Sequence, residues 1–320
     1  MSSDLGPTTT TDDVLDGKDL SGRRYLVTGV SAGLGIETAR ALAAHGAEVV
    51  GAVRDIGKAR AATAGFAEFT ARPCLTFVEL DLADLASVRR CTDSLLEKAG
   101  RFDAVIANAA IMAPPLGRTK DGFELQFGTN HLGHFVLINR LVPLLGPGSR
   151  VIVVSSAGHR FGDVNLDDPN FEKTEYTPFG GYGRSKTANA LFALEFDHRH
   201  KASGIRAASV HPGVIQTELS RHLPEEVKRQ AAQMAEAARR GEYDGPLTMK
   251  SVEQGAATQI WAAVTAPPEE IGGRYCEDCN VAELSENDEN GRKGVRPYAQ
   301  APDRAQALWR LSEEMVRERF

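Results

Sequence analysis

Eight residues, Thr28-Gly29-Val30-Ser31-Ala32-Gly33-Leu34-Gly35, separate a short apolar run, Tyr25-Leu26-Val27, from an Ala- and Leu-rich stretch over 36–45. The order reads as a strand, a glycine turn and the opening of a helix. Glycine lets the backbone bend sharply and approach a ligand closely, and the first N–H groups of a helix present the positive end of its dipole. Together these hold a dinucleotide pyrophosphate, which makes Gly29, Ser31, Gly33, Leu34 and Gly35 candidate cofactor-binding residues. The same turn can also close an ordinary strand–helix connection, and only its surroundings discriminate.

Those surroundings repeat the alternation. Residues 25–28, 48–53, 75–80, 104–107, 151–154 and 205–210 are apolar strand candidates separated by amphipathic segments. Strands that alternate with helices pair in parallel through crossovers, so the expected fold class is α/β, a single doubly wound parallel sheet (Rossmann fold) with helices on both faces. No Pro-, Gly- or Ser-rich linker divides residues 21–320, which are read as one domain behind a flexible N-terminal arm at 1–20. Two segments break the rhythm, 158–181 and 217–250, the second containing a charged helical stretch at 225–240. Ligands of open parallel sheets bind beyond the carboxyl ends of the strands, where both insertions start, so both belong to the substrate side. Residues 305–320 read as an amphipathic helix that caps the fold or packs on a partner.

Charge and cysteine usage narrow the function classes. Lys plus Arg number 37 against 43 Asp plus Glu, a formal charge of −6, with no long basic stretch, which argues against a nucleic-acid partner. No apolar run reaches bilayer-spanning length and the N-terminus is polar, with Thr8 to Thr11 in succession, so a cytoplasmic protein without a membrane segment is expected. Cys74, Cys91, Cys276 and Cys279 are too few and scattered for a disulfide framework. Cys276 and Cys279 have metal or redox spacing, yet lack a second ligand pair and fall after an apparent strand end, so structural thiols are expected. His131 and His134, three apart, have no carboxylate or cysteine nearby to complete a metal set and are read as packing residues. Trp261 and Trp309 sit in apolar patterns and are read as core.

Tyr182 and Lys186 lie four apart in a helical pattern, so both project from one face. A neighbouring ammonium favours the phenolate, and the pair is a tunable proton donor and acceptor. On its own the spacing arises often by chance. Upstream, however, the run 151–154 ends in Ser155-Ser156 at the carboxyl edge, and Asn130 sits inside a helical segment where an amide has no intrinsic reason to be. Downstream, 205–210 leads into His211-Pro212-Gly213-Val214-Ile215-Gln216-Thr217.

The order of glycine turn, Asn, Ser, Tyr, Lys and Pro-Gly resembles the classical short-chain dehydrogenase/reductase family. The resemblance spans about residues 20–265. Thr28 to Gly35 match the family's TGxxxGxG, and Asp81-Leu82-Ala83-Asp84 falls where the family has an acidic residue near the adenine. Asn130, Ser156, Tyr182 and Lys186 fall on its four catalytic positions, Ser156 being preferred to Ser155 by its distance from the β-branched run. The Asn130 segment, the long Ser–Tyr insertion and Ser185-Lys186-Thr187-Ala188-Asn189 are similar to the branch holding retinol dehydrogenases and the WW-domain oxidoreductase, although no WW domain is evident.

The resemblance implies hydride transfer between a nicotinamide cofactor and a small-molecule alcohol or carbonyl substrate. Tyr182 would exchange the proton, Lys186 would lower the tyrosine pKa and bond the nicotinamide ribose, Ser156 would hold the carbonyl oxygen, and Asn130 would order a water relay. It also implies cofactor contacts at Asp81, Leu82, Asn108, Pro212, Gly213 and Thr217, and a homodimer or homotetramer. One departure is Ala107-Asn108-Ala109-Ala110 in place of the family's Asn-Asn-Ala-Gly, which alters the adenine-side wall. At the end of the second strand, Val53 stands where an acid would accept the ribose 2′-OH of NAD, followed by Arg54, which suits a 2′-phosphate; NADP(H) is favoured over NAD(H). The runner-up is a dinucleotide-binding regulator or scaffold without turnover, which explains the glycine turn but not Tyr182 and Lys186 at helical spacing after Ser156. An epimerase or dehydratase of the extended branch is disfavoured by the TGxxxGxG spacing.

Overall fold

The computed structural model describes residues 5–68, 74–223, 225–240, 249–287 and 293–320. The six apolar runs become strands β1 (Arg24–Thr28), β2 (Glu48–Val53), β3 (Leu75–Glu79), β4 (Ala104–Ala107), β5 (Arg150–Val154) and β6 (Arg206–His211), within one residue of the expected bounds. They pair in parallel in the order β3-β2-β1-β4-β5-β6. Two further strands extend the sheet: β7 (Tyr275–Glu277), parallel to β6, and β8 (Asn280–Val281), antiparallel to β7. Strands of three and two residues carry too little pattern to be read from sequence. Cys276, expected beyond a strand end, therefore lies inside β7.

Alternating side chains send successive strand residues to opposite faces. On one face Val105, Val151 and Val153 meet α4 (Leu85–Lys98), α6 (Gly133–Arg140), α7 (Pro178–His200) and α11 (Pro302–Val316). On the other, Ile106, Ile152 and Val154 meet α1 (Thr11–Leu15), α2 (Gly33–Ala44), α3 (Ile56–Ala62) and α9 (Val252–Ile260). The short α5 (Leu125–Phe127) runs through a π turn at Gly128–Leu132 into α6, α8 (Glu225–Arg239) carries the charged stretch, and α10 (Pro268–Ile271) precedes β7. The order reverses between β1 and β4, which opens a crevice at their carboxyl ends, the usual ligand site of such sheets.

The expected flexible arm is docked instead over residues 5–20. Thr10 caps α1 in a reciprocal box with Asp13, Thr11 bonds Glu37 of α2, and Arg40 holds the same carboxylate at 2.7 Å. Val14, Leu15 and Leu20 are buried in the core beneath α2 and α9. The polar threonine run thus serves as a helix cap, and the three apolar residues after it supply the reason to dock; residues 1–4 lie outside the described set. At the other end α11 packs on its own fold, with Trp309 stacked on Phe192 at 5.8 Å and its indole N–H donating to Glu313. Trp261 is buried in the opposite layer. No helix among the described residues is long and apolar enough to cross a membrane.

Candidate active site

Close approach at the carboxyl end of β1 makes glycine obligatory there. Gly29 and Gly33 adopt φ of +80° and +56°, a region strained for residues with a Cβ. A Cβ at Gly35 would lie 2.2 Å from the Gly29 carbonyl oxygen and 2.7 Å from Asn108 Nδ2. Asn108 fastens the turn from β4, its amide donating to the Thr28 carbonyl at 2.9 Å while the Ala109 N–H donates to the Thr28 hydroxyl at 2.9 Å. Ala32, the residue that caps α2, provides no side-chain acceptor for the opening N–H groups. A glycine cradle beneath a helix end without a capping side chain fits a pyrophosphate. Ser31 and Leu34 sit in the same turn, Leu34 directed at Gly255 of α9, and Thr217 lies 3.2 Å from where a Cβ on Gly33 would be.

The neighbouring strand tips continue this edge. The Gly29 N–H bonds the Ala52 carbonyl at 2.9 Å, so the end of β2 adjoins the turn, and Arg54 follows it into solvent with no hydrogen bond to another described residue. The Asp55 carboxylate accepts the Lys58 N–H at 2.9 Å and is occupied in capping α3. Beyond β3, Asp81 accepts the Ala83 N–H at 2.9 Å, and Leu82 is buried against Gly133 of α6. Of these, Leu82 offers little side-chain surface to a ligand.

Tyr182 and Lys186 stand beside the tip of β5, the strand next to β4. Thr177 caps α7, whose second turn carries Tyr182 and third Lys186 on one face. Gly158 lets the loop close on the phenol, since a Cβ there would lie 2.6 Å from the Tyr182 ring and 3.3 Å from Ser156 Oγ, which accepts the Gly158 N–H at 3.0 Å. Ser155 instead donates to the Lys186 carbonyl at 2.7 Å and is buried, so the two adjacent serines divide between site and scaffold. The Lys186 ammonium donates to the Val154 carbonyl at 2.9 Å, and the Asn189 amide donates to the same oxygen at 3.1 Å. Lys186 Nζ is 5.6 Å from the Tyr182 ring centroid.

Burial governs both titrations. It pushes the Tyr182 phenol up to about 12, with the nearby Ser156 hydroxyl pulling the other way, and pushes the Lys186 ammonium down to about 7. Burial thus opposes the expected lowering of the tyrosine by its lysine and favours the phenol form at neutral pH.

Asn130 occupies the π turn. Its Oδ1 accepts the Ile111 N–H at 2.9 Å, and its Nδ2 donates to the Ile111 carbonyl at 2.9 Å and to Ser185 Oγ at 3.0 Å. Ser185 in turn donates to the Tyr182 carbonyl at 2.8 Å. The side chain thus braces the loop after β4 against α7 rather than facing the phenol. His134 meets the Asn130 carbonyl and the Thr28 hydroxyl at 3.0 Å each, and His131 bonds Ser312 at 2.8 Å between aromatic neighbours. Thr28, Ser185 and Asn189 support these contacts and were missed by sequence reasoning; Thr28 lies inside the glycine motif, while Ser185 and Asn189 have meaning only once α7 is laid against the π turn and β5.

At the end of β6, Pro212 leads into Gly213, whose φ is +97° and which packs against the Lys250 stem. Thr217 caps a short 3₁₀ helix at Glu218–His222. The first insertion is ordered around Asp168, which accepts the N–H groups of Glu172, Lys173 and Thr174. In the second, residues 224 and 241–248 lie outside the described set.

Comparisons with known proteins point to one family. The family model described as short chain dehydrogenase matches residues 23–228. A short-chain dehydrogenase/reductase of Penicillium roqueforti is 40% identical over 299 residues, covering 91% of this chain and 84% of the relative. Retinol dehydrogenase 14 of Homo sapiens is 37% identical over 314 residues, covering 93% and 87%. Among solved structures, an uncharacterised protein from Mycobacterium paratuberculosis superposes with a TM-score of 0.73 at 34% identity, covering 96% of this chain and 98% of that one.

The Gly35 contact yields a direct test. Gly35→Ala is expected to weaken dinucleotide binding about tenfold or more, since forcing a methyl into this close-packed turn costs ~1–3 kcal/mol, and fluorescence titration of the folded variant measures it. Unaltered affinity would remove the cradle from the binding site.

Proposed function

We propose, from the premise that the chain belongs to the short-chain dehydrogenase family and is a dehydrogenase/reductase acting on CH–OH groups, that it interconverts a partly apolar alcohol and its ketone or aldehyde. In this reading NADP(H) is used in preference to NAD(H), and Tyr182 is the acid/base. The observation that carries it is the buried Tyr182 phenol, one helical turn from Lys186 and closed on by the Ser156–Gly158 loop, beside the strand tips that hold the glycine cradle.

The dinucleotide, when bound, supplies or accepts hydride at its nicotinamide. The protein's own groups handle the oxygen. In the reducing direction Tyr182 donates its proton to the developing alkoxide, which is the role that burial suits it for, and Ser156 holds the same oxygen by hydrogen bonding. Lys186 brings positive charge beside that proton transfer and is the candidate to hold the nicotinamide ribose. Asn130 keeps α7 at a fixed distance from the loop after β4, which sets where the phenol stands.

Arg54 supports the choice of NADP(H): it follows the end of β2, which adjoins the cradle, and its exposed side chain has no partner among the described residues, while the adjacent Asp55 carboxylate is engaged in capping α3. The apolar side of the substrate is supported by Phe161 and Phe179, both exposed and 5.3 Å apart. Phe161 closes the short helix that begins after Ser156, and Phe179 precedes Tyr182 by three residues on α7. The retinol dehydrogenase relative is named for an alcohol of that character.

Tyr182→Phe is expected to lower kcat for NADPH-linked carbonyl reduction by roughly 10²–10⁴, the usual worth of a positioned acid, with NADPH affinity retained; full turnover in that variant would take the acid role away from Tyr182. Arg54→Ala is expected to reduce kcat/KM for NADPH by about tenfold or more, the worth of a charge-assisted contact, and to leave NADH kinetics nearly unchanged. Equal losses with both cofactors would contradict the 2′-phosphate contact.

A further inference from the structure

His211 ends β6, and its ring makes a contact that neither the glycine cradle nor the Tyr–Lys pair accounts for. Nδ1 accepts two backbone N–H groups, from Ala157 at 3.1 Å and from Gly213 at 3.3 Å. A backbone N–H only donates, so Nδ1 carries no proton and the neutral ring has its proton on Nε2. Ala157 directly follows Ser156, and Gly213 lies in the Pro212–Thr217 turn. One nitrogen atom therefore joins the loop of the substrate-holding hydroxyl to the turn that borders the cofactor crevice.

The groups around the ring preserve this state. Lys250, His159 and Arg160 act on it as cations or potential cations, against the carboxylate of Asp278. Burial first, and then these charges, push His211 down to about 3. Lys250 also braces the turn from behind. Its stem passes Gly213 so closely that a Cβ there would lie 2.7 Å from Lys250 Cδ, and its N–H donates to the Val214 carbonyl at 2.9 Å. Its ammonium, on a side chain only 3% exposed, pairs with Asp278 at 2.6 Å. Asp278 and Cys279 form the two-residue turn between β7 and β8 with φ of +52° and +55°, a conformation that glycine or asparagine ordinarily fills. Keeping an aspartate in that strained position makes sense when its carboxylate has a structural partner to reach.

We propose that His211 is a positioning residue whose acceptor nitrogen holds the Ser156 loop and the Pro212-Gly213 turn in fixed register, with the Lys250–Asp278 pair as its brace. The proposal rests on the oxidoreductase reading, in which substrate oxygen and cofactor ring must meet at a set distance. A small displacement between those two surfaces costs rate and affinity out of proportion to its size.

Two variants separate the acceptor from mere packing. His211→Phe fills the space and removes the acceptor; His211→Asn presents an amide oxygen at nearly the position of Nδ1. His211→Phe is expected to raise the NADPH dissociation constant and lower kcat by about tenfold each or more, and His211→Asn to restore most of both. Amide hydrogen exchange at Ala157 and Gly213 is expected to quicken in the Phe variant and to return toward the parent rate in the Asn variant. Affinity and kcat within twofold of the parent in His211→Phe, or equal losses in the two variants, would overturn the positioning role. A parent protein that shows neither NADPH binding nor turnover overturns the oxidoreductase reading and this role with it, an outcome distinct from a parent that binds and a Phe variant that does so equally well.

Discussion

A lysine ammonium sealed against one backbone carbonyl sets the terms for the rest of the site. Lys186 is 1% exposed, and its polar partner is the oxygen of Val154 at the tip of β5. A carboxylate there would lock the charge in place. A carbonyl leaves it poised, and burial brings the ammonium to about 7. Perturbation of this kind, beside a buried phenol and at the mouth of a crevice, is characteristic of groups that handle protons rather than of groups that stabilise a fold.

That junction also fixes the geometry around it. Val154 receives Lys186 and Asn189, Ser155 holds the Lys186 carbonyl, and Ser185 ties α7 back to Asn130. The helix bearing Tyr182 is thereby pinned to β5 along one edge and to the π turn along the other. The glycine cradle is pinned independently, by Asn108 and Ala109 reaching from β4 to Thr28. Because β1, β4 and β5 are adjacent strands, these two constructions flank one crevice at the carboxyl edge of the sheet.

How much of this was legible in the sequence follows from how local each signal is. The six long strands were legible because β-branched runs of four to six residues carry their own pattern, and the cradle because its glycines sit at fixed spacing behind a strand. Tyr182 and Lys186 were legible as a pair by helical periodicity, but their significance came from the order of motifs around them. The docking of residues 5–20 was not legible, since a polar threonine run reads as solvent-exposed until α2 offers Glu37 as a partner. β7 and β8 were too short to register. The side chain of Asn130 turned out to brace α7 and the loop after β4, and His211 to join a loop and a turn; contacts between residues tens of positions apart leave no periodic trace.

The claim on which the account turns is that burial keeps the proton on Tyr182, so that the phenol enters the reaction as an acid. Carbon-13 NMR of ring-labelled tyrosine, with Tyr182 assigned by comparison with the Phe variant, titrates that one group in the cofactor-free protein. The account predicts a resonance that stays in the phenol form through neutral pH and moves only above the ordinary tyrosine value, toward about 12. A midpoint near neutrality would mean that the lysine charge, and not burial, controls the phenol, and would contradict it.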